Sequence, residues 1–247
     1  MPPSQSPIRF AGLSDVGRVR KANEDKWLAD PGLNLFLVTD GMGGEFAGGL
    51  ASEVVVKTLP ALIKKRLSGC RNISDTKAAI TAALVDASTM LRDQSNGQPG
   101  LEGMGATIAL ALVRKSRALI AHMGDSRCYL FREQKLKRIT KDHSLVQLLI
   151  DSGELSAKDA AAHPSRGQLT RFVGMPGEAL PEINSMLLNP EDVLILCSDG
   201  LTGMLSEEEM AQILNSYPTP QDACAHLIEG ANKVGGKDNI TVLIVVP

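Results

Sequence analysis

Acidic residues at predicted turns are the strongest chemical signal in the chain. They form clusters in residues 23–25, 40–44, 198–200 and 237–239, next to apolar runs that are typical of buried strands. A carboxylate at the end of a strand is held by rigid backbone at the rim of a sheet. Hard divalent cations such as Mg²⁺ and Mn²⁺ bind carboxylate and carbonyl oxygens. One Asp-Gly pair alone is more often an ordinary turn, but several such clusters together favour a metal site.

The pair Asp40-Gly41 offers two kinds of oxygen ligand at one point. Asp40 follows the apolar run 33–39 and supplies a carboxylate, while Gly41 leaves its carbonyl accessible because it has no side chain. Arg20 lies just before the first acidic cluster. A guanidinium can donate two parallel hydrogen bonds to phosphate oxygens, so Arg20 is a candidate phosphate ligand. The alternative is an arginine at the surface that binds no ligand.

The elements that must position these residues are short strands and longer helical blocks. Short links between strands predict antiparallel pairing, and the order favours an antiparallel core covered by helices in a single domain over 1–247. The predicted strands are 9–13, 33–39, 106–113, 118–123, 127–132, 183–188, 193–197 and 240–246. The predicted helical regions are 45–67, 75–95, 144–162 and a pair within 206–234.

The last helical pair carries clear start signals. Ser206 and Glu209 have the spacing of a capping box. Thr219, Pro220 and Asp222 place a cap, a proline at the first helical position and an acid in the first turn. Two helices are therefore predicted to begin at these points.

Composition excludes several classes of protein. The chain has 247 residues, 43% of them apolar, and a formal net charge of −2, so a polyanion partner such as nucleic acid is not expected. The longest apolar runs, 106–113 and 240–246, are much shorter than the roughly 20 residues of a membrane helix. Residues 1–7 lack the pattern of a secretory signal and are expected to form a loose tail in a cytoplasmic protein. The four cysteines have no zinc-site spacing and are expected to be reduced thiols.

Five motifs in fixed order carry a family resemblance. In this order and spacing the chain resembles the metal-dependent protein phosphatases of type 2C, and more closely their compact bacterial members, from about residue 10 to residue 246. The resemblance implies an α+β fold, a four-layer α/β/β/α sandwich of two antiparallel sheets flanked by helices. The motifs are residues 20–25 (RKANED), 40–44 (DGMGG), 124–127 (GDSR), 198–200 (SDG) and 237–239 (KDN).

The resemblance also implies two bound cations, Mn²⁺ or Mg²⁺. Asp40 would bridge them, the Gly41 carbonyl would bind one, and Asp199 and Asp238 would hold the other. Two cations about 4 Å apart repel each other, so several negative groups are needed to hold both. A water between them loses a proton more easily and attacks phosphorus, and no covalent phosphoenzyme is required.

Further roles follow from the same resemblance. Glu24 and Asp25 would bind the metals mainly through water, and Asp125 with Asp199 would form a weaker third metal site. Arg20 would hold the substrate phosphate. The residues expected to be catalytic are Asp40, Asp199, Asp238 and Arg20.

The implied function is a protein serine/threonine phosphatase. Its partners would be phosphorylated serine/threonine proteins, including a eukaryotic-type bacterial Ser/Thr kinase, and the chain is expected to be a monomer that does not insert into membranes. Two alternatives stay open. One is a two-metal phosphohydrolase of small phosphoesters, and the other is a pseudophosphatase that binds phosphoproteins without hydrolysing them.

Two positions depart from relatives. Animal relatives commonly have a histidine directly after the Asp-Gly pair, where it can protonate the leaving group, but this chain has Met42. Many relatives carry a further acid where Gly203 stands, so that position is left out of the metal shell.

The histidines and one long segment receive weaker assignments. Residues 145–177, with His163, match a flap beside the active site of bacterial relatives, and substrate proteins would touch it. His143 is expected to cap or pack at a helix start, and His122 is expected to be a core histidine with its hydrogen bonds satisfied.

Overall fold

Two antiparallel sheets form the centre of the molecule. The structure is a computed structural model that describes residues 8–43, 47–160, 162–177 and 179–247. Its strands are β1 (Arg9–Asp15), β2 (Asp25–Asp30), β3 (Leu35–Met42), β4 (Gly105–Ala106), β5 (Ile108–Arg114), β6 (Arg117–Met123), β7 (Arg127–Arg132), β8 (Lys135–Arg138), β9 (Glu182–Leu187), β10 (Val193–Cys197) and β11 (Ile240–Val246). The first sheet has the order β1-β11-β10-β7-β8, and the second has the order β2-β3-β5-β6-β9 with β4 paired to β3.

Helices lie outside both sheets. They are α1 (Ala47–Leu67), α2 (Ile73–Ser95), α3 (Leu145–Asp151), α4 (Ala157–Ala160), α5 (Asp199–Thr202), α6 (Glu207–Ser216) and α7 (Pro220–Lys233). α1 and α2 share a core with the second sheet, and α6 and α7 share one with the first. Within the described ranges, no helix combines the length and apolar character needed to cross a bilayer.

Strand β3 shows how the sequence builds these layers. Successive side chains of a strand point to opposite faces of its sheet. Leu35 and Leu37 pack in the core beneath α1 and α2, whereas Phe36 and Val38 pack in the core between the sheets. All four are fully buried. The predicted four-layer sandwich of antiparallel sheets and helices is therefore confirmed.

A tryptophan joins the edges of the two sheets. Trp27 of β2 lies opposite Val38 in the second sheet and packs with the inter-sheet core. A Cβ atom at Gly12 of β1 would lie 2.6 Å from its indole ring. Gly12 therefore gives the indole the space it needs to lie against the first sheet.

Several predicted boundaries were wrong, and the strands β2 and β8 were missed. The run 106–113 is interrupted at Thr107, and the region 144–162 contains two short helices, α3 and α4. The helix predicted over 75–95 begins at Ile73, because the Asn72 side chain accepts a hydrogen bond from the Asp75 N–H and caps it. The first residues of the helix predicted over 45–67 lie outside the described residues. The whole of the predicted tail 1–7 also lies outside them.

Both predicted helix starts near the carboxyl end are confirmed. Ser206 and Glu209 form the reciprocal capping box of α6. Thr219 caps α7 by accepting from the Asp222 N–H, and Pro220 occupies the first turn. These caps fix where the helices that cover the first sheet begin.

Candidate active site

The predicted acids meet at one end of the sandwich. Asp25 and Asp40 are direct partners in the register of β2 and β3. Asp199 follows β10 and Asp238 precedes β11, and these two strands are antiparallel neighbours. Because the two strands run in opposite directions, the last residue of one and the first residue of the other lie at the same end of the sheet. Asp125 lies in the turn through which β6 of the second sheet leads to β7 of the first.

Thr107 fixes the backbone of Asp40. Its Oγ1 accepts from the Asp40 N–H at 3.0 Å, and its own N–H donates to the Asp40 carbonyl at 2.8 Å. The same hydroxyl lies 2.6 Å from Ser126 Oγ. The interruption between β4 and β5 therefore has a function, because it places one threonine between Asp40 and the turn that carries Asp125.

Two carboxylate oxygens are buried and have no hydrogen-bond partner within the described part of the chain. Ser198 Oγ donates to Asp25 Oδ2 at 2.7 Å and itself accepts from the Thr241 N–H at 3.0 Å. Asp25 Oδ1 and Asp199 Oδ1 remain unpaired among the described residues. A buried anionic oxygen without a donor is costly. Such oxygens fit a divalent cation, and the all-oxygen donor set is the one that Mg²⁺ and Mn²⁺ prefer.

The Gly41 carbonyl lies beside Glu24 at the beginning of α1. A Cβ atom at Gly48 would lie 2.6 Å from the Gly41 carbonyl oxygen and 2.6 Å from Glu24 Oε1. Glu24 Oε1 also accepts from the Gly49 N–H at 3.2 Å. Gly48 therefore allows two oxygens that were predicted to face metal to approach each other.

Asn239 ties the loop before β2 to the loop before β11. Its Nδ2 donates to the carbonyls of Val16 and Ala22, each at 2.9 Å. Its Oδ1 accepts from the Glu24 N–H at 2.9 Å. These contacts place Arg20 beside Asp238, and Arg20 Nη2 donates to Asp238 Oδ2 at 2.7 Å.

The electrostatics of the site favour protons or cations over bare charge. Burial is the main cause that raises the pKa of Asp25, to about 7, although the hydrogen bond from Ser198 opposes it. Burial, followed by the charge of Asp199, raises the pKa of Asp125 to about 8. Burial also raises the pKa of Asp40 and of Asp199, and the neighbouring aspartates add to the effect. Bound divalent cations would favour the ionised form of all four.

A second group of residues that can bind metals lies at the second sheet, with His122 in β6, Glu182 in β9 and His143 in the loop before α3. Ligand atoms of His122, His143 and Glu182 lie within 4.8 Å of one another. His122 Nε2 lies 2.7 Å from the Lys141 carbonyl and donates to it, and the imidazole rings stack with centroids 4.4 Å apart. His143 Nε2 is 3.8 Å from Glu182 Oε2 and 3.2 Å from Arg171 Nη1.

The prediction for His122 needs correction, whereas His143 packs against a neighbour, which was one of its two expected roles. His122 is fully buried as expected, but its Nδ1 has no hydrogen-bond partner among the described residues. His143 packs against His122 and does not cap α3. The cap is Ser144, whose side chain accepts from the Gln147 N–H.

The end of the predicted flap, residues 145–177, lies against the strand that pairs with the Asp40 loop. A Cβ atom at Gly105 would lie 2.5 Å from the Phe172 ring. Gly105 is in turn the register partner of Met42. Met42 thus stands at the edge of the site, as expected from its position, and carries no ionisable group.

Sequence reasoning missed Gly48, Thr107 and the role of Asn239. Consecutive glycines at 48 and 49 near the start of a helix are unfavourable for helix formation, and such a pair can signal close approach of backbone. No comparable signal marks Thr107. Asn239 belongs to a motif, but its three hydrogen bonds reach residues more than 200 positions away.

Comparisons with known proteins agree with this geometry. The protein phosphatase 2C family model matches residues 18–231. The serine/threonine phosphatase Stp of Listeria monocytogenes serotype 4b (strain F2365) is 36% identical over 235 residues, which cover 94% of this chain and 93% of that protein. The crystal structure of the Mycobacterium tuberculosis serine/threonine phosphatase PstP/Ppp has a TM-score of 0.84 at 35% identity, covering 97% of this chain and 98% of that chain.

A further similar structure contains metal ions. The catalytic domain of the serine/threonine protein phosphatase PstP in complex with 2 manganese ions has a TM-score of 0.82 at 34% identity, with coverage of 97% of both chains. Family model, relatives and structures all span most of the sequence. The chain therefore belongs to the protein phosphatase 2C family.

Proposed function

We propose that this chain is a metal-dependent protein serine/threonine phosphatase, which hydrolyses the phosphomonoesters of phosphoserine and phosphothreonine. The observation that carries the proposal is the meeting of several aspartates with Arg20 at one end of the sandwich, where two buried carboxylate oxygens have no partner among the residues that the structure describes. Relatives that match almost the whole chain are serine/threonine phosphatases, and one similar structure contains manganese. These support the same substrate class and a Mn²⁺ or Mg²⁺ cofactor.

The metal ligands are assigned from the family resemblance, and the strand ends that carry these acids lie together in the fold. Asp40 is proposed to bridge two divalent cations, with the Gly41 carbonyl on one of them and with Asp199 and Asp238 on the other. When bound, the cations supply an activated water and neutralise charge on the phosphoryl oxygens. The protein holds Asp40 rigidly for this purpose through Thr107.

The remaining acids complete the shell. Glu24 and Asp25 are proposed to act through metal-bound water. Asp25 presents Oδ1, since its Oδ2 is occupied by Ser198. Asp125 with Asp199 is proposed as a weaker third metal site, in keeping with the charge of Asp199, which after burial is the next cause that raises the pKa of Asp125.

Arg20 is proposed to bind the substrate phosphate. Its side chain is 51% exposed, and only one of its guanidinium nitrogens is engaged by Asp238. A guanidinium has five N–H donors, so others can reach phosphoryl oxygens. Met42 has no proton to give to the leaving alkoxide, and that proton is therefore assigned to solvent.

Phosphate release from a phosphothreonine peptide tests the proposal. We expect release with Mn²⁺ or Mg²⁺ and none with EDTA, and we expect slower or no release from a phosphotyrosine peptide and a nucleotide. Hydrolysis of the nucleotide alone would favour a phosphohydrolase of small phosphoesters. Metal-loaded protein that binds the phosphopeptide but hydrolyses neither it nor p-nitrophenyl phosphate would be a pseudophosphatase.

The natural partners are proposed to be phosphorylated serine/threonine proteins, including a eukaryotic-type Ser/Thr kinase. The flap, residues 145–177, would contact them, and Leu148 within it is 53% exposed. Loss of phosphate from an autophosphorylated kinase of this type would support the assignment. The chain is further proposed to act as a monomer, which light scattering can test.

A further inference from the structure

The proposed phosphate ligand is held by a proposed metal ligand. Arg20 Nη2 donates to Asp238 Oδ2 at 2.7 Å, and the two side chains are 51% and 34% exposed. The other oxygen, Asp238 Oδ1, accepts from the Asn239 N–H at 2.9 Å. Both carboxylate oxygens of Asp238 therefore already have a partner within the protein.

This pairing is built by the backbone and is not a chance meeting of two long side chains. The Arg18 N–H donates to the Gly236 carbonyl at 2.7 Å. A Cβ atom at Gly17 would lie 2.2 Å from the Asp238 carbonyl oxygen. Together with the contacts of Asn239, these interactions fix the loop that carries Arg20 against the loop that carries Asp238.

The spacing of the proposed carboxylate ligands shows that binding a cation requires a rearrangement. Within the part of the chain that the structure describes, no three carboxylates bring oxygens within 4.8 Å of one another. A cation that binds Asp238 together with Asp40 and Asp199 requires closer oxygens, because ligand distances to Mn²⁺ or Mg²⁺ are about 2 Å. At least one of these carboxylates must therefore move when the cation binds, and Asp238 Oδ2 is the oxygen that Arg20 already holds.

We propose that Arg20 and the metal compete for the Asp238 carboxylate, so that metal binding frees Arg20 to receive the substrate phosphate. The inference rests on the proposed function, since it uses the roles assigned there to both residues. The guanidinium occupies a lone pair of Oδ2 and adds a positive charge near the cation. Both effects lower the affinity for metal, and a phosphate that attracts Arg20 reverses them.

The consequence is positive coupling between metal and phosphate. If metal strengthens phosphate binding by some factor, phosphate strengthens metal binding by the same factor. In the absence of metal, the Arg20 side chain is engaged by Asp238, and this contact reduces the affinity for phosphate. The chain would thus bind substrate well only after its cations are in place.

Calorimetric titration of Mn²⁺ into metal-stripped protein tests the competition. We expect Arg20→Ala to bind Mn²⁺ about two- to fivefold more tightly than the wild type, which is the range expected from the worth of a partly exposed ion pair. Arg18→Ala is the matched control, because Arg18 lies exposed in the same loop and makes no ion pair within the described ranges. It should leave the Mn²⁺ affinity unchanged, and thermal unfolding checks that each variant is folded.

Binding of inorganic phosphate tests the coupling. Wild-type protein should bind phosphate more tightly at saturating Mn²⁺ than without metal, and Arg20→Ala should lose most of this gain. Unchanged or weaker Mn²⁺ binding by Arg20→Ala would overturn the proposal, as would equal tightening by Arg18→Ala. Neither titration depends on turnover. Protein that shows the coupling but releases no phosphate from peptides would contradict the proposed function alone.

Discussion

The carboxylate end of the sandwich and the cluster of His122, His143 and Glu182 both collect metal-ligand types, but they differ in how those groups are paired. The histidine cluster has the closer ligand atoms. Its rings, however, are stacked within 8° of parallel, so the in-plane lone pairs cannot point at one ion without a rotation. Arg171 adds a positive charge beside His143.

The histidine cluster and the carboxylate end also differ in how their ligand atoms are hydrogen-bonded. His143 Nδ1 accepts from the Gly124 N–H at 3.3 Å, and its Nε2 lies 3.2 Å from the donor Arg171 Nη1, so both ring nitrogens already have a partner in the protein. Burial lowers the pKa of His143 to about 4, with help from His122 and Arg171, so the ring is neutral near pH 7. Asp25 and Asp199, by contrast, each keep one carboxylate oxygen that has no hydrogen-bond partner among the described residues. Close spacing of ligand types is therefore weaker evidence for a metal site than unpaired, convergent negative charge.

Asp40→Asn gives the largest expected effect. Removing the proposed bridging charge should lower phosphopeptide hydrolysis by at least about a hundredfold and weaken Mn²⁺ binding, because loss of even an outer-shell partner costs about 10–100-fold. Enzyme assay and calorimetry measure the two effects. Retention of both activity and metal stoichiometry would show that the carboxylate end is not the metal site.

Asn239→Ala should have a smaller but specific effect. It removes three hydrogen bonds that hold the Arg20 loop and Glu24. We expect kcat/KM for a phosphopeptide to fall about tenfold, mostly through KM, since the phosphate ligand is displaced more than the metals. Asn215→Ala on α6, whose side chain is exposed, is the control. An equal loss in both variants would contradict a positioning role.

The stability of the metal-stripped protein should depend on pH in a defined direction. The folded-state pKa values of Asp25, about 7, and Asp125, about 8, lie above the usual value of 3.8. The folded state therefore binds more protons, and the stability from these groups is lost as pH rises from about 4 to about 8. The melting temperature in EDTA should fall by several degrees over this range. Saturating Mn²⁺ should abolish the fall, and Asp25→Asn should reduce it.

Glu182→Gln should have the smallest effect. If the histidine cluster binds no metal, this change should leave the number of bound Mn²⁺ or Zn²⁺ ions the same and alter activity by less than about twofold. Its side chain is 45% exposed, so the substitution is compatible with folding. Loss of one bound ion would break the contrast between the two regions.

The sequence predicted the strands that have continuous apolar runs, such as β10 and β11, because both faces of these strands are covered. It missed β2 and β8, whose residues DKWLAD and KLKR mix charged with apolar side chains at sheet edges. The site acids could be found because their motifs are local in sequence. The hydrogen bond from Ser198 to Asp25 could not be predicted in this way, since it joins residues 173 positions apart.

The position of Trp27 gives the protein an optical property. It is the only tryptophan in the chain, and its indole lies against Gly12. Trp27 follows Asp25 by two residues in β2. Its fluorescence therefore comes from a single site where the two sheets meet beside the carboxylates. Emission intensity and wavelength can follow both metal loading and separation of the sheets without any added label.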